Sequence, residues 1–133
     1  MGILDLFGKK KFEPKATFSL NVETHPYSLS PATNDYVDLE ISISNNSDAA
    51  LMSSVVISVP KGLGFERSAI SQQREIRLGF LKPGETKHLK AQLWGTQRTV
   101  KGVYPIKIYA MSHFNDYGHV MGEILKTISF RVG

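Results

Sequence analysis

The residues best equipped for chemistry lie in one short stretch, Ser112-His113-Phe114-Asn115-Asp116-Tyr117-Gly118-His119. Its turn-forming centre, Asn115-Asp116-Tyr117-Gly118, predicts a hairpin loop that would bring His113 and His119 close across two strands. Two imidazoles and the Asp116 carboxylate form a donor set suited to zinc or a similar ion. Ligands carried on a loop need outer partners to orient them, and the sequence supplies none, so no metal and no cofactor is expected. The loop reads instead as a recognition element, with His113, Phe114, Asp116, Tyr117 and His119 as its contacts, because loops on a rigid scaffold are where such domains meet partners.

A second constellation is the alternating set His88, Lys90, Gln92 and Trp94, beside Lys107 and Tyr109 if their two strands pair. Cations interleaved with aromatic rings suit a sugar, a nucleic acid or a protein. No nucleic-acid-binding motif accompanies the charge, so a protein partner is expected and nucleic acid is not. Catalysis is not expected either. The chain has no cysteine, no Gly-x-Ser-x-Gly and no phosphate-cradling glycine loop, and its glycines are scattered at turns. Separations between carboxylates cannot be read from sequence, which leaves a glycosidase pair unsupported.

The third candidate is the N-terminal run Met-Gly-Ile-Leu-Asp-Leu-Phe-Gly-Lys-Lys-Lys. As a helix it would gather Ile3, Leu4 and Phe7 on one face, followed at once by Lys9, Lys10 and Lys11. A short apolar wedge with a polybasic run is the chemistry of a weak anchor to an anionic membrane surface, each cation contributing about 1 kcal/mol. A disordered tail and a helix capping one end of the domain are the competing readings. Residue 6 is Leu, so Gly2 does not fit a myristoylation site. The apolar stretch is too short for a secretory h-region and its lysines follow it, so no signal peptide is expected. With no run of about eighteen apolar residues either, the expected location is cytoplasmic, peripheral at the inner membrane surface if the anchor operates.

These candidates need a scaffold, and 133 residues suffice for one domain with its own core. The formal net charge of +4 is unevenly spread. Residues 1–50 carry four lysines and seven carboxylates, whereas residues 61–107 carry ten cations and three carboxylates. The second segment could present a basic face to phosphate or anionic lipid, or be an ordinary solvated sheet surface.

Period-two alternation dominates the chain. In Tyr36 to Ser44, Val37, Leu39, Ile41 and Ile43 share one face while Asp38, Glu40 and Ser42 share the other, as on a half-buried strand. Similar strands bury Phe18, Leu20 and Val22; Val55, Ile57 and Val59; Leu89, Ala91 and Leu93; and Tyr104, Ile106, Ile108 and Ala110. A short one contains Ile76 and Leu78, and a last one carries Ile124, Ile128, Phe130 and Val132. Lys126 falls on the buried side of that last strand, which predicts a β-bulge or a lysine reaching out at the rim. Turns at Asn45–Asp48, Lys61–Gly64 and Lys82–Glu85 separate the strands, the last fitting type II with Pro83 and Gly84 at its centre. Glu13-Pro14-Lys15 marks the boundary between an N-terminal segment, 1–15, and the domain, 16–133. Many short strands without helices predict an all-β fold, an immunoglobulin-like β-sandwich of about seven antiparallel strands preceded by a short amphipathic segment.

The strand and turn order resembles a known family. Leu39 to Ser47, Val55 to Leu63 (ending Val-Pro-Lys-Gly-Leu), Leu78 to Thr86 (with Leu-Lys-Pro-Gly-Glu) and Gly102-Val103-Tyr104-Pro105-Ile106 are similar to CARDB-type and alpha-galactosidase-associated immunoglobulin-like domains. The resemblance spans about residues 16–132 and rests on turns and buried strands, so it implies fold more than function. Independently of the family, Tyr104 near the start of a late strand suits a tyrosine corner, in which its hydroxyl would bond a nearby backbone group. The reading is a non-enzymatic protein-interaction or scaffolding module. The alternative is a carbohydrate- or surface-binding accessory domain of an exported system, using Trp94, Tyr109 and the 113–119 loop.

Overall fold

The computed structural model describes residues 17–133. The amphipathic segment with Ile3, Leu4, Phe7, Lys9, Lys10 and Lys11, and the boundary placed after residue 15, lie outside the described residues.

Eight strands follow in order: β1 (Phe18–His25), β2 (Ser28–Leu29), β3 (Tyr36–Asn45), β4 (Leu51–Ser58), β5 (Gln73–Leu81), β6 (Thr86–Trp94), β7 (Gly102–His113) and β8 (Val120–Val132). They form two sheets, β1-β3-β6 and β2-β8-β7-β4-β5, packed face to face as an immunoglobulin-like sandwich. Seven strands are long. The eighth, β2, pairs parallel to β8, a departure from the all-antiparallel expectation. Its cause is local: Pro26, which has no N–H, follows the last residue of β1, and the chain then crosses to the other sheet, where Leu29 is buried.

The alternation of β3 is realised as Val37, Leu39, Ile41 and Ile43 in the core, facing Val55 and Ile57 of β4 and Ile106, Ile108 and Ala110 of β7. Leu89, Tyr104, Ile124 and Ile128 pack at the rim of this core, half-buried. Lys126 stands opposite Ile108 in unbroken register, so there is no bulge there. Its Nζ reaches the Leu20 carbonyl at 3.2 Å, which keeps the charged head at the rim.

The turns behave as their residues require. Gly84 takes φ +76° and the Glu85 N–H closes onto the Lys82 carbonyl at 2.9 Å, the type II geometry. Tyr104 donates its hydroxyl to the Val100 carbonyl at 2.6 Å, the tyrosine corner. Asn45 ends β3 fully buried, with Nδ2 donating to the Ala49 and Leu81 carbonyls and Oδ1 accepting from Ser47. Two bulges interrupt the larger sheet. Leu78 is extra between β4 and β5, beside Gly79 at φ +70°, and Met121 is extra between β7 and β8.

Candidate functional site: the outer face of the five-stranded sheet

Because Val55, Ile57, Ile108 and Ala110 point into the core, the residues between them on β4 and β7 point out. Cross-strand pairing arranges them in rows. Val56 stands opposite Tyr109, and Tyr109 opposite Leu125. Ser54 and Met111 are flanked in their row by Arg77 of β5 and Glu123 of β8. Phe80, Met52, His113 and Val120 make a third row towards the 114–119 loop. Phe80 is 62% exposed, Met121 55%, Val120 52% and Leu125 50%, and Phe114 in the loop is 60% exposed. Met52, Met111 and Met121 are three of the chain's four methionines. The outer face of the other sheet is different in kind. Its rows pair Ser44 with Thr86 (2.7 Å), Ser42 with His88 (2.9 Å) and Glu40 with Lys90 (4.0 Å), polar group to polar group.

The loop folds back on the apolar face. Tyr117 lies edge-on to His113 at 5.0 Å between ring centroids, and the Arg77 guanidinium sits over its ring at 4.7 Å. The Tyr117 hydroxyl accepts the Gly79 N–H at 2.9 Å, a donor set apart from the β4–β5 ladder by the bulge. Beneath, His113 Nε2 lies 2.7 Å from Ser54 Oγ, and its buried Nδ1 has no hydrogen-bond partner. This pair resembles a nucleophile with its base, but Ser54 is 0% and His113 4% exposed. The sequence placed His113 among the contacts; the structure makes it a buried support, closed over by Tyr117.

Asp116 and His119 remain at the tip. Asp116 Oδ1 lies 2.9 Å from His119 Nδ1 and accepts the Gly118 N–H at 2.8 Å, and these bonds hold its carboxyl below the usual aspartate range. His113 turns to Ser54 and His119 to Asp116, so the two imidazoles serve separate partners. Among the described residues no three His, Cys, Asp or Glu side chains gather where a metal ion could sit.

Trp94 belongs elsewhere. β6 and β7 are in different sheets, so Trp94 is not beside Tyr109, which corrects the expected shared surface. The indole stands opposite Tyr36 with ring centroids 4.8 Å apart and donates Nε1–H to Gln92 at 3.1 Å. The basic segment 61–107 likewise forms no single face. Lys87 and Lys90 lie on β6, Arg74 and Arg77 on β5, and Lys61, Arg67, Arg98 and Lys101 on the loops at the opposite end of the sandwich from residue 114.

No protein-family model matches the chain, and no curated protein matches it. Solved structures do. AvmM, described as catalyzing macrocyclization in alchivemycin A biosynthesis, is similar at TM-score 0.58 and 11% identity over 90% of each chain. A conjugative transposon lipoprotein from Bacteroides eggerthii has TM-score 0.45 and 13% identity, over 87% of this chain and 98% of that one. BslA, described as a bacterial hydrophobin, has TM-score 0.45 and 14% identity, over 90% and 96%. The likeness is one of fold.

Sequence reasoning found Tyr109, Phe114 and Tyr117 on this face but missed Met52, Val56, Phe80, Met111, Val120, Met121 and Leu125. A signal was present. Leu51-Met52, Val55-Val56, Phe80-Leu81, Ala110-Met111 and Ile124-Leu125 put apolar residues at both parities of their strands, whereas β3 does so at one. A strand apolar on both sides is covered on both sides or exposes what it carries.

Proposed function

We propose that this chain is a non-enzymatic protein-interaction module that docks a partner protein through the outer face of its five-stranded sheet. The observation that carries the reading is the contrast between its two outer faces. One is a ladder of polar pairs that ends in the single aromatic pair Tyr36–Trp94; the other presents a run of exposed aliphatic, aromatic and methionine side chains bordered by Arg77 and Glu123. Contiguous exposed apolar surface with a polar rim marks an interaction site, and aromatic residues, methionine and arginine are the types enriched there. Methionine also adapts its shape to a partner. The burial of Ser54 and His113 supports the non-enzymatic half of the reading.

The test is site-specific photocrosslinking of the full chain in its native host. A photoreactive residue at Leu125 should give a discrete adduct with one protein, and the same residue at Lys90 on the polar face should not. Phe80→Glu, on an already exposed side chain, should abolish the Leu125 adduct while leaving the melting temperature within about 2 °C, as for a surface substitution. Equal labelling from Leu125 and Lys90, or an adduct indifferent to Phe80→Glu, would refute the assignment of this face.

A further inference from the structure

A cleft of about 690 Å³ opens at the far end of the sandwich, between the β4–β5 and β6–β7 loops, and Lys61 and Arg98 line it. A smaller hollow that shares Ser68, Thr96 and Arg98 adjoins it. No carboxylate lines either space. Glu66, on the turn that carries Ser68, accepts the Ser71 N–H with both oxygens (2.9 and 3.3 Å). Among the described residues neither Lys61 nor Arg98 takes part in an ion pair.

Three hydrogen-bonded turns build this end. The Leu63 N–H closes onto the Pro60 carbonyl around Lys61 and Gly62 (φ +106°), and the Thr99 N–H closes onto the Thr96 carbonyl around Gln97 and Arg98. The Ala69 N–H closes onto the Glu66 carbonyl around Arg67 and Ser68. Each turn therefore displays one cation at a central position. Buried Thr99 ties the first two together, its hydroxyl donating to the Gly62 carbonyl at 2.7 Å and accepting the Thr96 N–H at 2.7 Å. Asn34 ties the third, donating to the Arg67 and Gly95 carbonyls at 3.0 and 3.1 Å. Ala69, on the cleft wall, takes the left-handed φ of +54°, unusual for a residue with a Cβ, and rests on Gly64, where a Cβ would come within 2.4 Å of its Cα. The turns are thus fixed relative to one another before anything binds, which is the condition for cations on loops to act as a site.

We propose that this cleft binds a phosphate monoester carrying neighbouring hydroxyl groups, with Lys61 and Arg98 on the phosphoryl oxygens. A phosphate monoester carries about −1.5 to −2 charge near neutral pH, which two cations match. The arginine fork suits its oxygens geometrically and the lysine serves as a point charge. The uncharged donors Ser68, Gln72 and Thr96 suit the ligand's hydroxyl groups. The Tyr104 ring also lines the cleft, with one edge against Gly62, where a Cβ would meet it at 3.1 Å, and its hydroxyl is committed to the Val100 carbonyl. The cleft lies on the opposite end from the 114–119 loop and does not depend on the sheet face.

The full chain titrated with sn-glycerol 3-phosphate and followed by amide chemical shifts should show changes at residues 60–63 and 96–99, and glycerol alone should not produce them. Lys61→Gln and Arg98→Gln, both on exposed side chains, should each weaken binding about tenfold, the loss of one charge-assisted contact. Thr99→Val should weaken it with both cations intact, and Thr99→Ser should restore it. In a parallel arm, phosphatidylcholine vesicles carrying phosphatidylinositol 4-phosphate are compared with vesicles carrying phosphatidylserine at matched charge. Preference for the phosphoinositide, lost in Lys61→Gln and Arg98→Gln, identifies a lipid headgroup as the source. Binding of the soluble ester alone identifies a free metabolite. No shift at the cleft with either probe, or affinity indifferent to both substitutions, overturns the proposal.

Discussion

Tyr117→Phe removes one oxygen atom and isolates the bond by which the 114–119 loop holds the apolar face in shape. The Gly79 N–H loses its acceptor, the Tyr117 hydroxyl at 2.9 Å, while the ring stays beneath Arg77 (4.7 Å) and against His113 (5.0 Å). An N–H left without an acceptor costs about 1–3 kcal/mol, and because Gly79 is half-buried and water can partly replace the hydroxyl, the lower half of that range applies. For a domain of this size each kcal/mol lowers the melting temperature by roughly 3–6 °C, so the variant should melt about 3–12 °C below the parent. Amide hydrogen exchange gives the residue-specific readout. Exchange at Gly79 should accelerate at least about tenfold, while Val55 and Ile57 in the adjoining strand keep their protection. Tyr117→Leu should cost about 0.5–1 kcal/mol more, because it also removes the ring under the exposed Arg77 guanidinium. If Gly79 is as protected in Tyr117→Phe as in the parent, and the melting temperatures agree, the loop is not what fixes the bulge and the account of how the face is supported fails.

Two further measurements address the core and the loop tip. Ile41→Ala and Ile57→Ala, at positions 2% and 0% exposed, should each cost about 2–5 kcal/mol in urea unfolding, and Glu40→Ala less than about 0.5 kcal/mol, since its partners His25 and Lys90 lie at 3.8 and 4.0 Å in open solvent. The Asp116 carboxyl should titrate below the ordinary aspartate value in a carbon-13 experiment, because His119 and the Gly118 N–H favour its ionised form. A depressed carboxyl contributes order to the loop at pH above its unfolded value and loses that contribution as pH falls through the folded value; His119→Ala should move the titration back up.

How much of this could be read from residues alone depends on which physical rule governed each element. β3 was legible because one face is buried and the other wet, so composition alternates with geometry. The Lys82–Glu85 turn and the Tyr104 corner were legible because Pro, Gly and Tyr have narrow local uses. The partition of strands between sheets was not. Whether β6 pairs with β7 or β3 depends on long-range register, and only the β6–β7 alternative, which the fold does not adopt, would have set Trp94 beside Tyr109. The two bulges were invisible for a related reason: each is an extra residue in a pairing, defined only once the partner strand is known. His113 was misread because its neighbours in sequence are loop residues, while its burial comes from Ser54 on the adjoining strand and from Tyr117, which the loop folds back over it.

The bulge at Leu78–Gly79 also decides how a partner can engage the larger sheet. β5 is an edge strand, and an edge with a flat run of free N–H and C=O groups invites strand addition. Here the run is broken in its second half by the extra residue, Gly79 is turned into the left-handed region, and its N–H is committed to Tyr117. The first half carries Arg74, Glu75 and Arg77, with Arg77 and Glu75 paired at 3.2 Å. Such charges guard an edge against pairing. The β5 edge is thus closed to strand addition, and the proposed docking uses the side chains between this guarded edge and Leu125. The proposed docking on the face and the protection of the β5 edge are thus compatible features of one strand. A peptide that bound by extending β5 would require Gly79 to release Tyr117, and would show itself by accelerating exchange at Gly79 where face docking slows it.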